Sequence, residues 1–367
     1  MKPKPAVEFV TGLANLGNTC YMNCILQCSA GTPELARPFI EGTYSNFINL
    51  NSRSGYKGAL ARSFASLVQM MASGKYSYVE PTAIKSLCGS FREAFRGNAQ
   101  QDAQEFLTFI LDGLHEELNS AGDAPRLKEL TPKEERKRET MGIRQVSTIE
   151  WGKYLKTDYS LIVDTFQGQY VSKLRCLTCG FTSTTYSPFS SVTLPIPAHG
   201  KQVSLIDCFR LLTAEEILEG DNAWFCPHCK QPRRSSKVLS LARLPFILII
   251  HLKRFHGMNK KLETFVHYPL YNLDLTPFWP PLVGDDIESM EPFRMYDQMG
   301  PFKYNLYAVT NHQGTLCGGH YTSYVKKGTK GWCYFDDAKV SRNVNPDSGL
   351  VGKNAYVIFY TRVLPLH

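Results

Sequence analysis

Hydrophobic positions fall into two regimes along the chain. Up to residue 118 the apolar residues recur at helical spacing. The clearest stretch is Ala99 to Leu118, where Phe106, Ile110 and Leu114 repeat every four residues and predict an amphipathic helix. The string NTCYMNCILQCSA reads as another helix start, with Asn18 or Thr19 as its cap and an apolar stripe behind it. Residues 33–118 as a whole read as mostly helical. After about residue 160 the period becomes that of strands: SLIVDTFQGQYVSKLRC, FTSTTYSPFSSVTLPIP, KVLSLARLPFILIIHLKRF, then YNLYAVT, HYTSYVKK, GWCYFDD and AYVIFYT. Helices first and strands later predict an α+β architecture rather than a wound parallel sheet.

Between these lie segments with no usable period. Residues 1–10 form a Pro/Lys-rich lead-in. Segment 126–139 carries ten charged residues out of fourteen, of both signs, and reads as a solvated surface helix or a mobile loop. Residues 276–301 hold five prolines and read as a long loop. No internal repeat is present.

Composition narrows the class. A chain of 367 residues, 43% hydrophobic and 12% aromatic, can bury a sizeable core and is not globally disordered. The longest apolar run, Phe246 to Ile250, is strand-sized, so no membrane span is expected. The start, MKPKPAVEF, lacks the apolar stretch of a secretory signal. Eleven cysteines, an odd number without an export signal, argue for metal ligation or a reactive thiol over a disulfide framework. The net charge of +8 is local: residues 222–262 hold nine Lys/Arg and no acid. That raises a zinc-ribbon nucleic-acid binder as a rival reading. The segment has an apolar centre and lacks interleaved surface aromatics, so no nucleic-acid partner is expected.

Four cysteines form two knuckles, Cys176-Leu-Thr-Cys179 and Cys226-Pro-His-Cys229, with 46 residues between them. Each knuckle can present two thiolates, and four thiolates close a tetrahedral shell around one structural Zn2+. Gly180 suits the tight turn, and the intervening segment must be a finger that returns to its base. Four unpaired core cysteines or a redox dithiol are the plain alternatives. His228 lies inside the second knuckle and is expected to be a bystander.

Cys20 stands apart, at a helix start where unpaired N–H groups favour a thiolate. Cys24 and Cys28, one and two turns on, are expected to be buried and inert, and Cys88, Cys208, Cys317 and Cys333 to be fillers. A thiol nucleophile needs a histidine, and the histidine needs an acceptor. His251 lies in an apolar strand and reads as a hydrogen-bonded core residue. His320 opens the strand HYTSYVKK, and GWCYFDD returns after KGTKG. A hairpin centred near Gly328 would place His320 opposite Asp336, on one face. Registers slip, so Asp337 competes for the orienting role, and a surface His–Asp pair is the plain alternative.

Several signatures then occur in one order: GLANLGNTCYMNCILQC, QQDAQEFL at residues 100–107, the two C-x-x-C pairs, and YNLYAVTNHQGTLCGGHYTSYV followed by WCYFDDAKVSRNVNP. They resemble the ubiquitin-specific proteases, over residues 11 to 362. The resemblance implies a papain-like cysteine protease core with a helical thumb (about 11–155), zinc-bearing β fingers (about 168–245) and an antiparallel β palm (about 156–167 and 246–362), within one catalytic domain over 11–367. It implies Cys20 as nucleophile, His320 as general base and Asp336 as orienting acid. Asn15 would donate to the oxyanion. Gln101 and Asp102 would hold the extended ubiquitin tail, Tyr321 would help line a channel too narrow for anything but its Gly-Gly end, and His312 and Gly314 would fall in a mobile loop over that channel. Ubiquitin and its conjugates are the implied partners, with a monomeric, cytoplasmic catalytic domain. The segments KELTPKEERKRET and IEWGKYLKTDYSLIVDTFQGQY resemble the branch of the fungal endosome-associated ubiquitin hydrolase. That predicts an excised catalytic domain whose longer parent sits at endosomes. A ubiquitin-binding scaffold without turnover is the remaining alternative, and the presence of Cys, His and acid together argues against it.

Overall fold

The first helix, α1 (Cys20–Ala30), buries all eleven of its residues, as expected for a helix at the centre of a core. The structure is a computed structural model that describes residues 4–51, 56–121, 130–198, 200–256, 260–280, 300–315, 318–346 and 349–364. Around α1 stand α2 (Pro33–Ile40), α3 (Ala59–Ala72), α4 (Thr82–Phe91) and α5 (Ala103–Leu118). α5 begins later than its periodicity suggested. Asp102 accepts hydrogen bonds from the amides of Gln104 (2.6 Å) and Glu105 (3.2 Å) and caps the helix there.

α6 (Pro132–Glu139) opens on a Thr131–Glu134 capping box and buries none of its residues, the solvated helix the charge run implied. Residues 122–129, beside it, lie outside the described residues, as do 281–299 of the proline-rich loop. α7 (Ile143–Tyr154) and α8 (Leu161–Phe166) follow. α8 corrects the strand reading of SLIVDTF. So short an apolar run has no period of its own, and Ser160, whose hydroxyl accepts from the amides of Ile162 and Val163, decides for helix. α9 (Leu205–Thr213) interrupts the strand region where none was expected; its Ser204–Asp207 capping box is the signal for it.

Two sheets dominate the rest. In the smaller, the order is Thr182–Phe189, Gly168–Cys176, Ser235–Arg243, Glu216–Leu218, all antiparallel. In the larger, the order is Lys339–Ser341, Trp332–Asp336, Gly318–Lys326, Lys303–Thr315, Ala355–Arg362, Ile247–Lys253, Val192–Pro195. The last pair is parallel, so the expected antiparallel palm has one parallel edge. The Ile247–Lys253 strand shows why its sequence looked continuously apolar. Ile247 and Ile249 join a core shared with α1–α5, while Leu248, Ile250 and Leu252 join a second core with Leu205 and Phe209 of α9. A strand covered on both faces loses its alternation.

Candidate active site and metal centre

The hairpin of Gly318–Lys326 and Trp332–Asp336 carries the first candidates. Its register pairs Ser323 with Phe335 and Lys326 with Trp332. The turn is therefore centred one residue beyond Gly328, and His320 is not directly opposite Asp336. A shift of two in register keeps side chains on the same face, so the two meet diagonally. Nε2 of His320 lies 2.7 Å from Oδ1 of Asp336, with both side chains part-exposed. A donor at Nε2 leaves Nδ1 as the base nitrogen.

Asp337 does something else. Its φ of 51° turns it off the strand, and its carboxylate accepts from Asn15 Nδ2 and from Asn23 Nδ2, each at 2.8 Å. Asn15 is fixed at both ends: its Oδ1 accepts from the amides of Gly17 (3.0 Å) and Thr19 (3.1 Å). One Nδ2–H is spent on Asp337 and one remains, which is the donor an oxyanion would need. The loop that makes this possible holds Gly17 at φ 99° and Asn18 at φ 54°, backbone suited to those two residue types. Neither Asn18 nor Thr19 caps α1 with its side chain. Thr19 occupies the cap position, and its hydroxyl accepts from the Leu16 amide at 2.9 Å.

Cys20, at the first position of α1, is 1% exposed. Burial pushes its thiol above the ordinary value, and the charge of Asp337 adds to that, although the N–H groups of Tyr321, Tyr21 and Cys20 itself pull the other way. The expectation of a thiolate favoured by the helix start is thus corrected: desolvation wins, and the proton must be removed by a base. The Tyr321 amide at the sulfur places Cys20 beside the residue that follows His320. Cys24 and Cys28 are fully buried, and burial raises both thiols. Cys88, Cys208 and Cys333 are buried as well; Cys317 lies outside the described residues.

The residues expected to hold a substrate tail lie at the start of α5 and in two adjacent strands of the larger sheet. Both oxygens of Asp102 are engaged: Oδ1 caps α5 and Oδ2 accepts from the Tyr356 hydroxyl. Gln101 sits half-buried just before it. His312 and Gly314 are in the strand Lys303–Thr315, not a loop, and His312 is 1% exposed. Burial, then the charges of Lys261 and His320, lowers the His312 pKa to about 4. Tyr321 is buried, with its ring centroid 4.5 Å from that of His312. His251 accepts or donates at 3.3 Å with Thr193 and is also held neutral by burial, its pKa lowered to about 4. A groove of about 310 Å³ that the sequence did not reveal opens along α5. It is lined by Gln104, Thr108 and Asp112 on one side and by Phe189, Ser190 and Ser191 on the other.

The second candidate site lies at the end of the smaller sheet. Sγ atoms of Cys176, Cys179, Cys226 and Cys229 all lie within 4.8 Å of one another, and Cys179 and Cys226 are 3.7 Å apart. Four thiolates at ~2.3 Å from one ion stand about 3.8 Å apart, so the donor set is compatible with zinc. Gly180 (φ 74°) and Lys230 (φ 54°) turn the two knuckles, each donating its amide to the carbonyl of the first cysteine. His228 stacks on Phe181 and is no member of the cluster. The basic segment is also explained in part. Glu216 pairs directly with Lys237 across the strands, and Arg234 bridges Glu219 at 2.8 Å. Two of the nine cations of residues 222–262 thus face acids of the neighbouring 215–221 segment, which the linear sequence does not reveal.

A buried thiol at a helix start, a histidine and carboxylate on the adjacent hairpin, and an amide donor fixed in between can together perform acyl transfer. Likeness to solved structures agrees on the fold. The SAGA DUB module bound to monoubiquitin superposes with a TM-score of 0.69 at 22% identity, covering 96% of this chain and 69% of that one. The same module bound to ubiquitin aldehyde gives 0.69 at 23%, covering 96% and 70%. The fold is that of a ubiquitin-specific protease domain.

A family profile described as Ubiquitin carboxyl-terminal hydrolase matches residues 11–360, and the chain belongs to that family. It is 50% identical over 374 residues to ubiquitin carboxyl-terminal hydrolase 4 of Saccharomyces cerevisiae strain S288c, covering 97% of this chain and 40% of that protein. Ubiquitin carboxyl-terminal hydrolase 5 of the same strain is 46% identical, with 97% and 45% covered. Ubiquitin carboxyl-terminal hydrolase 2 of Rattus norvegicus is 38% identical, with 98% and 55% covered. The chain spans about two fifths of the length of the yeast relatives.

Proposed function

We propose that the chain is a deubiquitinating cysteine protease that hydrolyses the peptide or isopeptide bond after the C-terminal glycine of ubiquitin. The observation that carries this reading is the 2.7 Å His320–Asp336 contact on the hairpin whose Tyr321 amide reaches Cys20. In this mechanism His320 Nδ1 takes the Cys20 proton as Sγ attacks the glycine carbonyl carbon. The remaining N–H of Asn15 and the Cys20 amide receive the oxyanion. The C–N bond breaks as His320 returns the proton to the leaving amine, and a water activated by His320 then releases the thioester. Asp336 keeps the imidazole in the tautomer with hydrogen on Nε2. Asp337 is assigned to Asn15 rather than to His320. The groove along α5 is the proposed seat of the extended ubiquitin tail, and Gln101, just before α5, is proposed to contact that tail as well.

The helical part, the small sheet and the large sheet are assigned as thumb, fingers and palm. The four-cysteine cluster is proposed to hold one structural zinc, which would close the finger tip and supply no reactive position. A cytoplasmic site of action, peripheral at endosomes for a longer parent, rests on the resemblance of two inserts. Among the described residues no helix is long and apolar enough to cross a membrane.

The test is Cys20→Ala. It is expected to abolish cleavage of a ubiquitin C-terminal fluorogenic amide while ubiquitin binding stays measurable. Turnover near that of the wild type would overturn the assignment.

A further inference from the structure

Residues 4–13 are fastened first to α2 and then to the hairpin of Gly318–Lys326 and Trp332–Asp336. Arg37 of α2 donates to the carbonyls of Pro5 (2.6 Å) and Ala6 (3.1 Å), and Val7 is buried in the core. Glu8 then reaches the turn at the tip of the hairpin. Its Oε1 accepts from the Thr329 amide (3.1 Å) and hydroxyl (2.8 Å), which holds the carboxyl below its ordinary range. Farther on, Gly12 packs so closely on Ala338 that a Cβ would lie 2.5 Å from its carbonyl oxygen. Leu13 donates its amide to the Asp337 carbonyl at 3.0 Å. The segment therefore follows the Trp332–Asp336 strand from the tip at Gly328–Lys330 to the two aspartates.

Lys327 is the group that no role described so far explains. It is 0% exposed, and its ammonium makes no hydrogen bond among the described residues. What it faces are rings: Phe9 at 4.4 Å and Phe335 at 5.6 Å. Burial lowers its pKa to about 8, and the titratable groups around it are the thiols of Cys28 on α1 and Cys333 on its own hairpin. A desolvated cation costs stability that an apolar side chain of equal length would not. In exchange it holds Phe9, one residue from Glu8, to the strand that ends at Asp336.

We propose that residues 4–13 form a strap, and that Glu8 and Lys327 are positioning residues that lock it to the hairpin. Locked, the strap fixes the Asp336–Asp337 turn, and with it His320, against Cys20. This rests on the hydrolase reading above, and neither residue touches substrate.

The experiment compares Glu8→Ala, Glu8→Gln and Lys327→Met in the whole chain. Values of kcat and KM on a ubiquitin C-terminal fluorogenic amide are taken per active site, titrated by alkylation of Cys20 with a haloacetamide, and Tm is measured beside them. Glu8→Ala is expected to lower kcat about three- to tenfold with KM unchanged, as for a small misplacement of catalytic groups. Glu8→Gln should recover most of this, since its carbonyl still accepts from Thr329. Lys327→Met should lower kcat similarly while Tm holds or rises, a split that a merely structural lysine would not produce. A kcat per titrated site within about twofold of wild type in both Glu8→Ala and Lys327→Met would overturn the strap. If the wild type is alkylated at Cys20 yet cleaves no ubiquitin substrate, the hydrolase reading fails by itself. The strap is then judged on the Cys20 alkylation rate, which it predicts to change in both variants; an unchanged rate overturns it.

Discussion

Replacing Asp336 by Asn tests the division of labour between the two adjacent aspartates. The substitution keeps a carbonyl oxygen where Oδ1 accepts from His320 at 2.7 Å, so geometry and tautomer can survive. What is lost is the charge that stabilises imidazolium once the thiol proton has moved. Two unit charges at ~4 Å attract by about 1 kcal/mol in water and about 4 kcal/mol at an effective dielectric constant of 20. The side chains are 45% and 38% exposed, so solvent screening places the pair between those limits, at about 2 kcal/mol. That corresponds to a loss of about 30-fold in kcat. The assay is steady-state hydrolysis of a ubiquitin C-terminal fluorogenic amide, normalised to titrated Cys20. Asp336→Ala, which removes the acceptor too, should lose more. A kcat within about twofold of wild type for Asp336→Asn, with a collapse for Asp337→Asn, would refute the reasoning and give the orienting role to Asp337.

Other consequences can be checked independently. The folded-state pKa of His312 is lowered to about 4 from 6.5, so its contribution to stability is complete above about pH 6.5 and is lost as pH falls towards 4. The maximum is about 3 kcal/mol, and Tm measured against pH should fall less steeply in that window for His312→Gln; an identical slope would contradict the assignment. At Gly319 a Cβ would lie 2.1 Å from His312 Nε2 and 2.7 Å from the Gln313 carbonyl oxygen. Gly319→Ala should therefore cost about 1–3 kcal/mol by denaturant titration and most of the activity, because the displaced residue adjoins His320. Metal analysis should find one zinc per chain, absent after Cys226→Ser; a metal-free wild type of full stability would remove the zinc assignment.

Much of the helical part could be read from the chain because its signals are local. Four-residue spacing located α5, and the C-x-x-C pairs located the finger tip whatever the length of chain between them. The failures share a cause as well. SLIVDTF and SLIDCFRLLT are too short for a period to decide, and one serine in each settles the matter through hydrogen bonds to nearby amides. His320 and Asp336 were found despite a wrong register, since an error of two residues leaves the face unchanged.

By itself, then, the sequence singled out the candidates: a cysteine at a helix start, a histidine and two aspartates on one hairpin, and four thiols in two knuckles. Residue type and short-range spacing hold that information. Only the tertiary structure decided how the two aspartates differ, because that depends on Asn15 and Asn23, far away in sequence, reaching Asp337. Only it showed burial raising the Cys20 thiol against the pull of the amides at the helix start. It also placed Glu216 and Glu219 against the basic strand. Desolvation and cross-strand contacts are sums over neighbours that the fold brings together, and no local pattern in the chain encodes them.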